Sequence, residues 1–318
     1  MNISLPLNDL INSSTVSVSH RDTVLVVVES TVFLILNIGA FVGNLLVCLA
    51  IYRNPSLRTV TNNFILSLAL TDLFMAVFVM PFYTVSFMLN RWTVGETFSQ
   101  IILWCLNSAG FISILNVTLL AINRYFRVVR PQMYSNIYSK KSSAWMAIVT
   151  WVVTLVLVGL SYLVLGVRFE TSNINPMLKK FRFSNAVSLI YFMIISHLYY
   201  IVPIFVIVIC YVKIYKTIRH HNRAGAPSTQ EGNSAYGVEE AKITRLLTAV
   251  VVGFCLCYYP GLIFTTLNIF KLLPSAAVNY LVSIRLIPVF TSSVINPIIY
   301  GFLNQSFRSE FLKIIRLQ

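Results

Sequence analysis

Residues 116–131 read NVTLLAINRYFRVVRP, and this stretch decides what kind of fold the chain has. It begins inside a long apolar run and ends in a cationic segment that contains Arg124 and Arg127. An arginine at the edge of a lipid-soluble helix keeps its charge in water or against a partner, because burying it unpaired is costly. The pattern predicts a membrane-spanning helix that ends near Arg124. This arginine is either an ordinary interfacial cation or a functional contact point, and the stretch alone leaves both open.

The composition of the whole chain also indicates a membrane protein. Of the 318 residues, 57% are hydrophobic and 11% are charged, whereas soluble domains carry about 25% charged residues. The net charge of +14 is distributed between apolar runs and forms no continuous patch, so nucleic acid is not expected as a partner. Residues 1–20 lack the basic start and apolar middle of a cleavable signal peptide, so the first apolar run is expected to be an uncleaved anchor.

Seven apolar runs are long enough to cross a bilayer, which needs about 20 residues of helix. They cover residues 24–52, 61–89, 97–127, 143–165, 186–215, 243–268 and 276–302. Because every backbone polar group must be paired inside lipid, the prediction is an all-α membrane protein, a seven-transmembrane helix bundle. Residues 1–23 are expected to be an extracellular N-terminus, residues 24–302 the bundle, and residues 303–318 a short amphipathic eighth helix on the cytoplasmic leaflet.

The basic residues between the runs predict the orientation, since cytoplasmic segments carry an excess of Lys and Arg. With the N-terminus outside, 16 of the 24 lysines and arginines lie on the cytoplasmic side. Asn2 and Asn12 then begin glycosylation sequons on the outer side. Segments 166–185 outside and 219–240 inside are expected to be the long loops. All five cysteines fall within the apolar runs, so no disulfide is expected.

Polar side chains inside the runs are expected to face the interior of the bundle. Asp72 is the carboxylate near the middle of a run, and Ser113 and Asn296 offer neutral oxygen atoms to the same region. A cluster of oxygen atoms with one negative charge suits an allosteric Na⁺ ion or a water network. The alternative is a structural acid that is held by hydrogen bonds alone. No other cofactor is expected.

Short motifs that follow one another along the chain resemble those of the rhodopsin-like (class A) G-protein-coupled receptors. They are Gly43-Asn44, Leu68-x-x-x-Asp72, Trp92-x-x-Gly95, Asn123-Arg124-Tyr125, Trp151, Pro203 with Tyr211, Phe254-x-x-Cys257-Tyr258-Tyr259-Pro260 and Asn296-Pro297-Ile298-Ile299-Tyr300. Segments of the first, third and last runs are similar to those of melatonin receptors. The resemblance implies a plasma-membrane receptor, not an enzyme, that passes the signal of an extracellular ligand to a heterotrimeric G protein.

The resemblance also implies which residues carry the function. The ligand is expected between the third, fifth, sixth and seventh helices, against Leu106, Asn107, Gly110, His197, Tyr258, Leu262, Thr265 and Phe290. Switching and G-protein coupling are assigned to Asn123, Arg124, Tyr211, Glu240, Tyr300, Ile114, Pro203 and Phe254. Because Asn123 stands in the place of the family's usual acid, Glu240 is expected to hold Arg124 instead.

Several positions depart from the family pattern and leave the ligand unassigned. Ser99 stands where the family has the cysteine of its outer disulfide, and segment 166–185 contains no cysteine. Leu106 replaces the aspartate of amine receptors, and Phe290 replaces the retinal lysine of visual pigments. Ser161 stands where melatonin receptors carry an asparagine. A lipid or a peptide remains open as ligand. A transporter or channel is a remote alternative, because Asp72 is the one mid-span charge and no internal repeat occurs.

Overall fold

Seven long helices form a bundle in the computed structural model, which describes residues 23–89, 91–171, 179–223, 231–270, 272 and 275–316. We number these helices as spans one to seven. They are Thr23–Arg53, Val60–Met88, Glu96–Val129, Lys140–Leu163, Ala186–Arg223, Glu231–Ile269 and Ser275–Leu303. Each contains a segment long and apolar enough to cross a membrane. The predicted fold class is therefore confirmed.

Three short helices lie at the end of the bundle that carries Arg124, which we call the inner end. Two of them connect spans, and the third follows span seven. They are the 3-10 helix Pro55–Leu57 and the α-helices Pro131–Ile137 and Gln305–Ile315. The Asn304 side chain caps the last of these by accepting hydrogen bonds from the backbone N–H groups of Ser306 and Phe307. Gln305–Ile315, the surface helix, lies where the sequence predicts an amphipathic eighth helix.

Span two consists of two helices, Val60–Phe78 and Met80–Met88, that meet at Val79. Pro81 lies in the first turn of the second helix. Proline has no backbone N–H and its ring crowds the preceding turn, so a continuous helix is disfavoured there. Spans five, six and seven by contrast continue through Pro203, Pro260, Pro288 and Pro297.

The inner connection between spans five and six differs from the predicted loop at 219–240. Span five continues to Arg223, and span six begins at Glu231. The prediction was wrong here because it ended each helix where the apolar run ends. Hydropathy marks the thickness of the lipid, whereas a helix continues into water as long as its residues favour helical geometry.

The outer segment 166–185 contains a two-stranded antiparallel hairpin that the sequence did not predict. Strand β1 is Arg168–Thr171 and strand β2 is Lys179–Arg182, with Arg168 opposite Arg182. Gly166 adopts φ +64° at the turn that leads from span four to the hairpin. Ser184 Oγ donates a hydrogen bond to the Gly166 carbonyl at 2.7 Å. Backbone pairing therefore holds strands β1 and β2 together, whereas the family pattern ties this segment with a disulfide.

Span three is the central helix of the bundle. In its most apolar window 78% of the residues are buried, against 22% for spans one and five. Two clusters of buried apolar side chains surround it. The outer cluster includes Phe33, Tyr83 and Phe290, and the inner cluster includes Phe254 and Tyr300. The exposed apolar side chains of the other spans face outward, as expected when lipid replaces water.

Spans one and seven approach closely at Gly43. A Cβ atom built on Gly43 lies 2.9 Å from both Cβ and Cγ of Pro297, a distance that real contacts do not reach. The absence of a side chain at this position therefore allows span seven to pack against span one.

Gly43→Ala is expected to destabilise the bundle through this contact. Alanine normally stabilises a helix by about 0.5–1 kcal/mol relative to glycine, but overpacking costs about 1–3 kcal/mol, so the net effect is a loss. Thermal unfolding of the purified protein in detergent measures it. Gly95→Ala is the control, because no atom lies within 4 Å of the added Cβ. A melting temperature of Gly43→Ala equal to that of the wild type contradicts the prediction.

Candidate functional site

A cavity lies between spans three, five, six and seven, toward the end of the bundle opposite Arg124. It holds about 820 Å³ of space not occupied by protein, including its open mouth. Seven of the eight side chains predicted to contact a ligand line this cavity. They are Leu106, Asn107, Gly110, His197, Tyr258, Leu262 and Thr265.

Phe290 is the exception among the predicted ligand contacts. It is fully buried and is not part of the cavity lining. Its ring packs edge-on against Phe33 at 5.5 Å and against Tyr83 at 5.7 Å, both measured between ring centroids. The rotation of span seven points this side chain toward spans one and two. Phe290 therefore belongs to the outer packing cluster and not to the cavity wall.

Several residues of the cavity wall were not predicted from the sequence. They include Phe111, Phe192, Ser196, Tyr200, Thr266 and Val289. A signal was available for some of them. Leu103, Leu106, Asn107, Gly110 and Phe111 follow the i, i+3, i+4 spacing of one helical face. A predicted contact at Asn107 therefore implies neighbours at 103 and 111.

The floor of the cavity is formed by Tyr258, which is stacked on Phe254. Their ring centroids are 4.1 Å apart and their planes differ by 10°. The hydroxyl groups of Tyr258 and Ser292 are hydrogen-bonded at 3.3 Å. A Cβ on Gly110 would lie 3.2 Å from the Tyr258 ring, so the missing side chain makes room for the tyrosine. Ile114 is buried in the same inner cluster as both aromatic rings. Tyr258 is thus in contact with both the cavity and the inner half of the bundle.

Asp72 is buried between spans two and seven, with 1% of its surface exposed. Ser293 Oγ donates a hydrogen bond to Oδ1 at 2.8 Å, and Asn296 Nδ2 donates one to Oδ2 at 2.9 Å. Ser113 is buried on span three but is not one of the hydrogen-bond partners of the carboxylate. Asn44 Nδ2 donates to the Ser293 carbonyl at 2.8 Å, which joins span one to the cluster. Spans one, two and seven therefore converge on one acid.

Arg124 lies at the inner end of span three and is 4% exposed. Its Nη2 donates a hydrogen bond to Thr61 Oγ1 at 3.4 Å, and Thr61 Oγ1 donates to Asn123 Oδ1 at 2.9 Å. Thr61, on span two, was not predicted from the sequence. A threonine at the end of a helix gives no distinctive signal until its neighbours are known. The Glu240 side chain, predicted to hold Arg124, lies outside the part of the structure that is described.

Two tyrosines predicted to act in switching lie at the inner cluster. The hydroxyl oxygen atoms of Tyr211 on span five and Tyr300 on span seven are buried and have no hydrogen-bond partner among the described residues. Both side chains belong to the inner cluster or pack against it. A buried hydroxyl without a partner is unfavourable by about 1–3 kcal/mol. The inner end therefore contains polar groups that can gain partners if the spans move.

The surface helix is attached to the bundle by Phe307 and Glu310. Phe307 is fully buried and its ring centroid lies 5.7 Å from that of Tyr300. Glu310 Oε1 accepts hydrogen bonds from Lys313 Nζ at 2.7 Å and from Asn54 Nδ2 at 3.1 Å. The hydrogen bond from Lys313 holds the pKa of Glu310 below its usual value. The surface helix thus contacts the inner ends of spans one and seven.

Known proteins are similar to this chain in sequence. The family described as 7 transmembrane receptor (rhodopsin family) matches residues 43–300. Melatonin receptor type 1A of Mus musculus is 30% identical over 281 residues, which are 86% of this chain and 76% of that receptor. Melatonin receptor type 1A of Gallus gallus is 30% identical over 296 residues, or 90% and 79% of the two chains. The histamine H2 receptor of Canis lupus familiaris is 31% identical over 295 residues, also 90% and 79%.

The matched residues include the cavity, the Asp72 cluster and the Arg124 end of the bundle. Seven apolar helices in the described residues make the chain a multi-pass plasma-membrane protein of the same kind as these relatives. The protein therefore belongs to the rhodopsin family of seven-transmembrane receptors, as a G-protein-coupled receptor that resembles the melatonin receptors.

Proposed function

We propose that an extracellular ligand binds in the cavity and that its binding moves span six, so that a heterotrimeric G protein gains access to Arg124. The observation that supports this most is the stack of Tyr258 on Phe254, because Tyr258 lines the cavity while both rings belong to the inner cluster. A ligand that contacts Tyr258 therefore contacts a ring that is itself packed in the inner cluster, on the side of the bundle where the G protein is proposed to bind.

The ligand acts by favouring one of two packings of the bundle. It shifts their equilibrium only by the difference between its affinities for them. Moving Tyr258 alters its stack on Phe254 and its hydrogen bond to Ser292. Pro203 lies inside span five and is buried, and a proline there leaves one backbone carbonyl without its usual donor. The missing backbone hydrogen bond at Pro203 on span five and the contacts of Tyr258 on span six are therefore the places where the packing can change.

In the resting arrangement Arg124 donates a hydrogen bond to Thr61. Opening the inner end releases the guanidinium, and Tyr211 and Tyr300 then provide hydroxyl groups that are unpartnered in the closed arrangement. When these two hydroxyl groups gain hydrogen-bond partners, the free energy gained helps to offset the loss of packing contacts in the closed arrangement.

The orientation that this function requires places the N-terminus and the cavity outside the cell. The excess of lysines and arginines at the inner end supports it. In this orientation Asn2 and Asn12 are accessible to glycosylation; both lie outside the described residues.

The cavity favours an uncharged small molecule as ligand. Among the described residues that line it there is no lysine, arginine, aspartate or glutamate. The names of two relatives suggest melatonin and histamine as compounds to test. Leu106 provides no carboxylate for a protonated amine such as histamine. Ser161, in the place of the asparagine of melatonin receptors, donates its hydroxyl proton to the Val158 carbonyl at 2.6 Å. Lipids and peptides complete the screen.

Thr61→Val is expected to raise ligand-independent signalling, because it removes the hydroxyl that joins Arg124 to Asn123 while it keeps the shape of the side chain. Loss of one such hydrogen bond shifts the resting equilibrium by about two- to tenfold. G-protein dissociation in cells at matched surface expression measures the effect. Thr84→Val is the control, since Thr84 is also buried on span two but bonds only to the Met80 carbonyl.

Arg124→Ala is included in the same experiment and is expected to abolish G-protein dissociation in both backgrounds. Basal activity of Thr61→Val that equals that of Thr84→Val contradicts the proposed restraint. Signalling that survives Arg124→Ala contradicts the proposed coupling site itself.

Glu240→Ala is expected to raise ligand-independent signalling as well. With Asn123 unable to form an ion pair, we propose that the carboxylate of Glu240 on span six holds Arg124 on span three. Because Arg124 is 4% exposed, the pair contributes more than the about 0–1 kcal/mol of an exposed pair, so the expected rise is about fivefold or more. Glu239→Ala, a neighbouring change of the same kind, is the control. Equal basal G-protein dissociation by the two variants at equal expression excludes this role of Glu240.

Na⁺ is proposed to bind at Asp72, together with Ser113 and Asn296. The residues present fit the ion: the carboxylate supplies negative charge, and the buried Asn44 Oδ1 on the adjacent span has no hydrogen-bond partner in the described part of the chain. Bound Na⁺ stabilises the folded protein by mass action. The melting temperature is expected to be higher in NaCl than in an equal concentration of N-methyl-D-glucamine chloride. Asp72→Asn is expected to remove the difference and Glu310→Gln to keep it; a difference that persists in Asp72→Asn refutes the site.

A further inference from the structure

The threonines of the cavity face it with hydrogen-bond acceptors. Thr265 Oγ1 donates its proton to the Gly261 carbonyl at 2.8 Å, and Thr266 Oγ1 donates to the Leu262 carbonyl at 2.9 Å. A hydroxyl group has one proton and two lone pairs. Because both protons are used by the helix backbone, the span-six wall offers lone pairs to anything in the cavity.

Asn107, on the span-three wall, also faces the cavity with an acceptor. Its Nδ2 donates to the Leu103 carbonyl at 2.9 Å and to the Tyr162 hydroxyl oxygen at 2.9 Å. A carbonyl oxygen only accepts, so the amide cannot be turned the other way round. Both amide protons are therefore used, and Oδ1 accepts no hydrogen bond from a described residue.

His197, on the span-five wall, has its tautomer set in the same manner. Its Nδ1 lies 2.7 Å from the Met193 carbonyl oxygen, which only accepts. In the neutral ring the proton is therefore on Nδ1, and Nε2 is the acceptor. Ser196 and Tyr200 add hydroxyl groups that can accept as well as donate.

The donor and acceptor roles of these side chains determine which ligand groups the cavity walls can bind. Carboxylates and phosphates carry acceptors only, and in this cavity they would face further acceptors without a lysine or arginine to neutralise them. A ligand that brings N–H or O–H groups satisfies both itself and the wall. A site that hydrogen-bonds ligand protons also rejects an analogue that lacks them, because its own groups are then buried unpaired.

We propose that the cavity binds a neutral, largely apolar molecule that carries hydrogen-bond donors at two separate ends. One donor bonds to Asn107 and His197 on spans three and five, and the other bonds to Thr265 and Thr266 on span six. The apolar body lies between them, against Leu106, Phe111 and Val289. This rests on the proposed function only in taking the cavity as the ligand site.

Three probes of one shape test the proposal in the full-length receptor, purified into lipid nanodiscs without a G protein. 4,4′-Dihydroxybiphenyl carries a donor at each end, 4,4′-dimethoxybiphenyl has the same body without donors, and biphenyl-4,4′-dicarboxylate replaces the donors with anionic acceptors. Ligand-dependent thermal stabilisation gives the dissociation constants. The dihydroxy probe is expected to bind at least tenfold more tightly than the dimethoxy probe, and the dicarboxylate is expected not to bind.

Variants of span six locate the donor contact. Thr265→Val and Thr266→Val remove an acceptor each without changing shape, and each is expected to weaken binding of the dihydroxy probe by about three- to tenfold. Neither is expected to affect the dimethoxy probe. Thr291→Val is the control, because Thr291 makes the same kind of bond, to the Ile287 carbonyl at 2.7 Å, but does not line the cavity.

The proposal is overturned if the dimethoxy or dicarboxylate probe binds as tightly as the dihydroxy probe, or if the dihydroxy probe does not bind at millimolar concentration. It is also overturned if Thr265→Val and Thr266→Val behave like Thr291→Val. Binding is measured without a G protein, so these outcomes are independent of the signalling measurements on Arg124. A receptor that binds the dihydroxy probe but never dissociates a G protein leaves the ligand class intact and refutes the proposed function.

Discussion

The buried carboxylate of Asp72 is the constraint on which the rest of the bundle depends. A carboxylate this deep in an apolar bundle is strongly unfavourable unless its oxygen atoms accept hydrogen bonds. Both donors, Ser293 and Asn296, come from span seven. The Asn44 side chain then ties span one to the Ser293 carbonyl. Span seven can neither rotate nor slide far without leaving the acid unpaired, so the register of three spans follows from one side chain.

The same register sets the geometry on both sides of the acid. Toward the cavity, Ser292 precedes Ser293 in the chain, and its hydroxyl reaches that of Tyr258 at 3.3 Å. Toward the inner end, Tyr300 follows Asn296 by one helical turn and packs against Phe307 of the surface helix. One segment of span seven therefore carries both the hydroxyl that contacts the cavity floor and the ring that packs against the surface helix.

Hydropathy was sufficient to predict the seven spans, since lipid requires apolar surface wherever a helix crosses it. It could not predict how far spans five and six extend beyond the lipid, because the aqueous ends of a helix need not be apolar. Backbone pairing holds the hairpin of Arg168–Thr171 and Lys179–Arg182 together. The polar sequences of these two strands do not predict that pairing. Seven of the eight residues that the family resemblance placed against the ligand line the cavity. The resemblance failed at Phe290, whose direction depends on how span seven is rotated against spans one and two. Thr61 has significance only through contacts with residues far away in sequence.

At two positions where the family pattern has a cysteine or an acid, this chain carries neutral side chains that take part in hydrogen bonds. At the outer end Ser99 replaces the cysteine, and its Oγ accepts a hydrogen bond from Trp92 Nε1 at 2.6 Å. At the inner end Asn123 replaces the acid and is bonded through Thr61 to Arg124.

A neutral hydrogen bond contributes about 0.5–1.5 kcal/mol, whereas a disulfide contributes about 2–4 kcal/mol. The hydrogen bond between Trp92 and Ser99 is therefore weaker than the disulfide of the family pattern. A ligand shifts the equilibrium between two packings only by the difference between its affinities for them, so a ligand that adds a few hydrogen bonds has little free energy for this purpose. Contacts of the strength of a single hydrogen bond are of the size that such a ligand can offset.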